Sequence, residues 1–124
     1  MNKRILMVED TVDNRQIMRD LMSMTDYDLI EAVDGADGVA KAALHKPDLI
    51  LMDIQLPVMD GYEAARRIKA DPALKHIPII AVTSYALSGD EAKTLAAGCD
   101  GYVAKPFSPR LLLAKIREFL PQEN

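Results

Sequence analysis

Short, almost unbroken apolar runs alternate along this chain with longer segments whose apolar residues recur every three or four positions. Ile5-Leu6-Met7-Val8, Leu49-Ile50-Leu51-Met52, Ile79-Ile80-Ala81-Val82 and Tyr102-Val103-Ala104 are the runs. Their length and β-prone composition read as strands. The pattern predicts strands over residues 4–8, 27–32, 48–52, 77–82 and 101–104. It predicts helices over residues 12–24, 36–45, 61–70, 88–97 and 109–120. Helical spacing puts Ile17, Leu21 and Met24 on the core face of the first helix. Val39, Ala43 and Leu44 form the stripe of the second, and Ala64, Ala65 and Ile68 that of the third.

Punctuation residues agree with these elements. Asp34 is placed to cap the second helix. Pro47 breaks the chain before the third strand, and Leu56-Pro57 turns it out of that strand. Asp71-Pro72 ends the third helix, and Pro78 is tolerable only near the start of the fourth strand. Gly98 is expected to close the fourth helix in a left-handed conformation.

Strand and helix alternate five times, and three strands are nearly all apolar. Such strands are buried on both faces, which implies an α/β fold with a parallel sheet and helices on both sides. Right-handed crossovers leave few orders for five strands, of which 2-1-3-4-5 is a common one. In that order the first and third strands are neighbours where the chain reverses direction, and ligands bind outside the carboxyl ends there. Glu9 and Asp10 follow the first strand, Asp53 the third, Thr83 the fourth and Lys105 the fifth. Three carboxylates, a hydroxyl and an amine at one sheet edge suit a divalent cation and a phosphoryl group.

Composition narrows the classes. With 124 residues the chain makes about one domain, and its 49% hydrophobic and 27% charged content is ordinary for a globular protein. A formal charge of −4 argues against nucleic acid as the main partner. The single cysteine, Cys99, cannot form an internal disulfide and reads as a small buried hydrophobe. The first apolar run is short and ends in Glu9-Asp10, unlike a signal peptide, and no stretch approaches the ~20 apolar residues of a membrane span. The expected location is the cytoplasm, without membrane association.

The segments ILMVED, PDLILMDIQLPVMDGYEA, IPIIAVTSYA and GYVAKPF occur in this order. Together they resemble the receiver domains of bacterial two-component response regulators, of the CheY-like superfamily, over essentially the full length. Within that family the chain looks most like the stand-alone DivK-type receivers that control cell division and polarity. Receivers fused to hybrid histidine kinases share much of the pattern. The resemblance implies one flavodoxin-like receiver unit over residues 1–124, with no output domain after Leu120.

By the same resemblance Asp53 is the phosphoryl acceptor, attacking the phosphorus of a phosphohistidine. Asp10 and Asp53 would ligate Mg²⁺, with Mn²⁺ an admissible substitute, and the backbone carbonyl of Gln55 would be a third ligand. Glu9 would hold a metal-bound water in the outer shell; many relatives have aspartate there. Lys105 would pair with the phosphoryl oxygens, aimed by a cis peptide to Pro106. Thr83 would donate its hydroxyl to a phosphoryl oxygen, and Tyr102 would turn inward as Thr83 moves. Gln55 and Tyr85, each two residues beyond a site residue, would border the path of a hydrolytic water and tune phosphoryl lifetime. The implied protein is a phosphoacceptor switch that takes part in its own phosphorylation and dephosphorylation, and is not an enzyme.

Its surface of fourth helix, fifth strand and fifth helix is expected to change for partners, with Ala86, Leu87, Lys93 and Tyr102 as candidate contacts. Partners would be a histidine kinase or histidine phosphotransferase and a downstream protein target, with the chain itself a monomer or weak dimer. Asn14 fits a docking face, a helix cap or plain exposure. Met18 and Met22 widen the apolar face of the first helix, for packing against the last helix or for a phosphotransferase. His45 and His76 read as surface or capping residues. Two other classes stand beside the switch. A scaffold independent of phosphorylation would usually have lost one of the site residues. A Mg²⁺-dependent aspartyl-phosphate phosphatase usually carries a second aspartate where Gln55 stands.

Overall fold

The computed structural model describes residues 2–56, 59–83, 90–105 and 107–120. Within them the chain runs β1 (Arg4–Val8), α1 (Val12–Met22), β2 (Asp28–Ala32), α2 (Gly35–His45) and β3 (Leu49–Asp53). It continues through α3 (Gly61–Ala70), β4 (Ile79–Thr83), α4 (Asp90–Ala96), β5 (Gly101–Ala104) and α5 (Pro109–Phe119). All five strands are parallel and ordered β2-β1-β3-β4-β5, as expected.

Strand alternation divides the core into two layers. Leu6, Val8, Ile50, Met52, Ile79 and Ala81 face one side, where Ala42 of α2, Ala64, Ala65 and Ile68 of α3, and Ala97 cover them. Ile5, Met7, Leu49, Leu51, Ile80 and Val103 face the other, under Met18, Leu21 and Met22 of α1 and Leu112 and Ile116 of α5. Every residue of β3 and β4 is buried, the burden a central parallel strand carries when both its faces are covered. β2, at the edge, is only partly buried.

The face of α1 differs from the expected one. Ile17 and Met24 are 55% and 78% exposed, while Met18 and Met22 join Leu21 in the core. Both stripes pass through Leu21, and only the way α1 lies on the sheet selects between them. The packing of Met18 and Met22 in one layer with α5 agrees with the first of the two roles considered for them. α1 also stops at Met22, because Met24 and Thr25 bond to carbonyls only three residues back and the Thr25 hydroxyl takes the Met22 carbonyl.

On α2 the expected stripe is corrected likewise. Ala43 is exposed and Leu44 is 76% exposed, whereas Gly35, Gly38 and Ala42 face inward and Val39 packs partly against the core. A Cβ on Gly38 would lie 2.8 Å from Val8 Cγ2, so the missing side chain lets α2 approach β1 closely.

The caps hold. Asp34, Asp60 and Ser108 each accept from a backbone N–H three residues on, closing the starts of α2, α3 and α5. Gly98 has φ 97°, its N–H reaches Leu95 and the Cys99 N–H reaches Thr94, which together form a Schellman closure. Cys99 is 4% exposed and burial pushes its thiol up to about 11, in keeping with an inert core position. β4 starts at Ile79, one residue after Pro78, so the proline stays outside the strand. The expected start of the fourth helix at Ser88 lies outside the described residues.

Candidate functional site

The site grows out of the carboxyl ends of the strands. The Glu9 N–H bonds to Ala32 O at 3.0 Å, extending the β1–β2 ladder by one residue, and places Glu9 at the sheet edge. Asp53 ends β3, Thr83 ends β4, and the Lys105 N–H bonds to Thr83 O at 2.7 Å to carry the β4–β5 ladder up to the lysine. The expected convergence is therefore real. Oxygen atoms of Glu9, Asp10 and Asp53 all lie within 4.8 Å of one another.

Burial separates their roles. Asp53 and Glu9 are each 5% exposed and Thr83 is fully buried, whereas Asp10 is exposed. Buried carboxylates need partners, and these have them. Lys105 Nζ donates to Asp53 Oδ2 at 3.1 Å and to Glu9 Oε1 at 3.2 Å. Asp53 Oδ1 accepts from the Gln55 N–H at 3.0 Å. Burial pulls the Lys105 ammonium down, but Asp53 and Glu9 more than offset this and leave its pKa raised. Desolvation, then the neighbouring Glu9 carboxylate, holds Asp10 above the ordinary aspartate value. A cation among these oxygens would relieve that crowding.

The donor set fits Mg²⁺, which prefers one or two carboxylates and retained waters. Exposed Asp10 and buried Asp53 offer hard oxygens facing solvent and protein respectively. Glu9 is committed elsewhere: Oε1 also accepts from Asn14 Nδ2 at 3.1 Å, and Oε2 from the Thr11 N–H at 3.2 Å. Asn14 thereby acquires a role the sequence did not single out, as a brace for Glu9. Arg15 adds to it, donating from Nη1 to the Glu9 carbonyl at 2.8 Å.

Gln55 reaches across to β4. Its Nε2 donates to Thr83 Oγ1 at 2.6 Å. Behind Asp53, α3 begins against the β3 backbone, since a Cβ on Gly61 would fall 2.3 Å from Asp53 O. Tyr102 is half-buried on β5, opposite Ala81, and Thr83 is opposite Ala104. Tyr102 is thus the diagonal, same-face neighbour of Thr83, within reach of an aromatic ring. A cleft of about 540 Å³ opens beside the site between α1 and α5, its walls including Met18, Leu51, Phe107 and Leu112.

Tyr85, Ala86, Leu87 and Pro106, with the cis peptide expected before it, lie outside the described residues. Lys93 is exposed on α4. His76 is exposed, and the His45 carbonyl accepts from the Arg4 guanidinium; neither histidine belongs to the carboxylate cluster. Among the described residues no helix is long and apolar enough to cross a membrane.

Known proteins share this arrangement. The chain is 41% identical over 120 residues to the polar-differentiation response regulator DivK of Brucella anthropi, covering 97% of this chain and 98% of that one. The receiver domain of a sensor histidine kinase from Pseudomonas aeruginosa, with a magnesium ion coordinated in its active-site cleft, superimposes with TM-score 0.91 at 36% identity. That match covers 98% of this chain and 100% of that one. A Saccharomyces cerevisiae receiver domain, co-crystallised with a histidine phosphotransfer signalling protein upstream of it, gives TM-score 0.88 at 30% identity, over 95% of this chain and 88% of that one. The model of the response regulator receiver domain matches residues 5–117, and with the fold and the carboxyl-end site it places this chain in that family, with DivK-like relatives.

Proposed function

We propose that this protein is a stand-alone phosphoacceptor switch of a two-component phosphorelay, with Asp53 as the acceptor. The observation that carries the reading is Asp53 itself: a buried carboxylate at the end of the central strand, held on one oxygen by the Lys105 ammonium and on the other by the Gln55 N–H. An Asp53 oxygen attacks the phosphorus of a phosphohistidine. The new P–O bond forms as the P–N bond breaks, and the imidazole leaves with the electron pair. Phosphoryl transfer of this kind needs alignment and charge neutralisation more than covalent help. Lys105 supplies a fixed cation that follows the added charge, as a point charge on a flexible stem can. A divalent cation held by Asp10, Asp53 and the Gln55 carbonyl would shield phosphoryl oxygens from the carboxylates.

Thr83 reports the new group through its hydroxyl, and Tyr102 answers by repacking, so a local charge becomes a surface change. That surface serves a downstream protein or passes the phosphoryl group onward. The phosphodonor is a histidine kinase or a histidine phosphotransfer protein; the yeast complex supports such a partner, and the magnesium in the Pseudomonas relative supports the cation. The test is incubation with acetyl phosphate and Mg²⁺, read by intact mass. The parent gains one phosphoryl group, and Asp53→Asn, equal in shape but without the anion, gains none. Stable labelling of Asp53→Asn would sink the assignment. A parent that never labels is a scaffold, and one that turns over a phosphoester continuously is a phosphatase.

A further inference from the structure

Gln55 touches both halves of the switch. Its backbone N–H donates to Asp53 Oδ1 at 3.0 Å, and its side-chain amide donates to Thr83 Oγ1 at 2.6 Å. We propose that Gln55 is the positioning residue for Thr83: its amide, acting as a donor, fixes the direction in which the Thr83 hydroxyl can donate. The inference rests on Asp53 being phosphorylated and Thr83 being the group that reports it.

The argument is one of donor and acceptor arithmetic. A threonine hydroxyl has one hydrogen and two lone pairs, and an amide NH₂ can only donate. Once Oγ1 accepts from Gln55, its own hydrogen must point away from Gln55. The bond therefore keeps that hydrogen on the side of Oγ1 away from Gln55, and Gln55 does not have to let go when the hydroxyl turns to a phosphoryl oxygen. Thr83 is fully buried, so the amide meets no competition from bulk water for that lone pair. Polarisation also makes a hydroxyl that accepts one bond a better donor in the next. The side chain at position 55 must be a donor for any of this to work. A carboxylate there would accept the Thr83 hydrogen and turn the hydroxyl the wrong way, though it is nearly the same size as the amide. A methionine would fill the space but remove the constraint.

The test uses the full chain labelled with acetyl phosphate and Mg²⁺, comparing parent, Gln55→Met and Gln55→Glu. The Thr83 methyl and Tyr102 ring signals are followed by NMR, and only the phosphorylated fraction of each sample, quantified by mass, is compared. This keeps any change in labelling from entering the comparison. In the parent both signals shift on phosphorylation. In Gln55→Met the shift falls to less than about half, and in Gln55→Glu it is nearly lost, the ordering expected when bond direction matters more than volume. Equal shifts in all three proteins overturn the positioning role. Equal losses in Met and Glu variants overturn the directional argument, since packing alone would then account for both. A labelled parent whose Thr83 signal does not move overturns the reporter role, and this inference with it.

Discussion

Glu9 and Lys105, 96 positions apart, form a 3.2 Å ion pair beside Asp53. The lysine is therefore held by two buried carboxylates, and it stays anchored through Glu9 if Asp53 changes its charge or bulk. Both Glu9 oxygens are engaged, which separates it from Asp10 as a candidate ligand.

Glu9→Ala should destabilise the fold by about 2 kcal/mol, because a partly buried ammonium, an amide and a backbone N–H lose their common acceptor. Glu9→Gln keeps the shape and some of these bonds, and should cost less. Mg²⁺ affinity should fall on the order of tenfold in both, since one negative charge leaves a crowded site. Urea denaturation and calorimetric Mg²⁺ titration measure the two effects. A Glu9→Ala protein as stable as the parent would show that the pair does not brace Lys105.

Thr83→Ala removes the hydroxyl proposed to report the phosphoryl group but none of the carboxylates. Labelling of Asp53 should persist, while the response of Tyr102 and of partner affinity to phosphorylation shrinks several-fold. Partner binding that responds equally in both proteins would disconnect Thr83 from its diagonal neighbour Tyr102.

Much of this site was legible because strand ends are legible. A polar residue directly after an all-apolar run has one place to go, and Asp53, Thr83 and Lys105 went there. The helix faces were harder. On α1, residues 17, 21 and 24 and residues 18, 21 and 22 both satisfy helical spacing, and isoleucine outranks methionine in hydrophobicity, so the wrong stripe looked stronger. On α2 the inward residues include Gly35 and Gly38, which carry no apolar signal; their role lies in the close approach of backbones, which only the packed structure displays. The Gln55–Thr83 and Asn14–Glu9 bonds were hidden for another reason. Side-chain reach across 28 positions leaves no periodic trace, and Asn14, whose place near the start of a helix fits a cap, a docking face or plain exposure, turns instead to Glu9 five residues back.

Acid should weaken the fold in part through Glu31. Arg19 grips its carboxylate from Nε at 2.7 Å and Nη2 at 3.0 Å, and this bond, with Arg15 and Lys41 nearby, holds Glu31 below the ordinary value of 4.5. A lowered folded-state pKa gives stability that is present above 4.5 and lost as pH falls through the folded value. Glu31→Gln should thus melt lower than the parent at neutral pH, with the gap closing below about pH 4. The gap should be modest, because Arg19 is exposed and water screens the pair. Melting curves across pH would show a constant gap if the pairing did not matter.

Gly61 ties the end of β3, at Asp53, to the helix behind it. A Cβ there would lie 2.3 Å from Asp53 O and 2.7 Å from Ile54 Cα, both backbone atoms that cannot swing aside. The Gly61 N–H also bonds to Ile54 O at 3.1 Å, so α3 starts in direct contact with the end of β3. Gly61→Ala must push the two apart, at a cost of about 2 kcal/mol or more from overpacking, less a small gain in helix propensity. The displaced segment carries the Gln55 N–H and carbonyl, so phosphorylation at saturating Mg²⁺ should slow as well. Gly101 is the control. A Cβ there would meet the edge of the Phe119 ring at 3.1 Å, a side chain that can shift by tenths of an ångström. Gly101→Ala should cost less and leave the labelling rate nearly intact. If urea midpoints and labelling rates for Gly61→Ala match those of Gly101→Ala, α3 is not seated on the acceptor's backbone as tightly as these distances require.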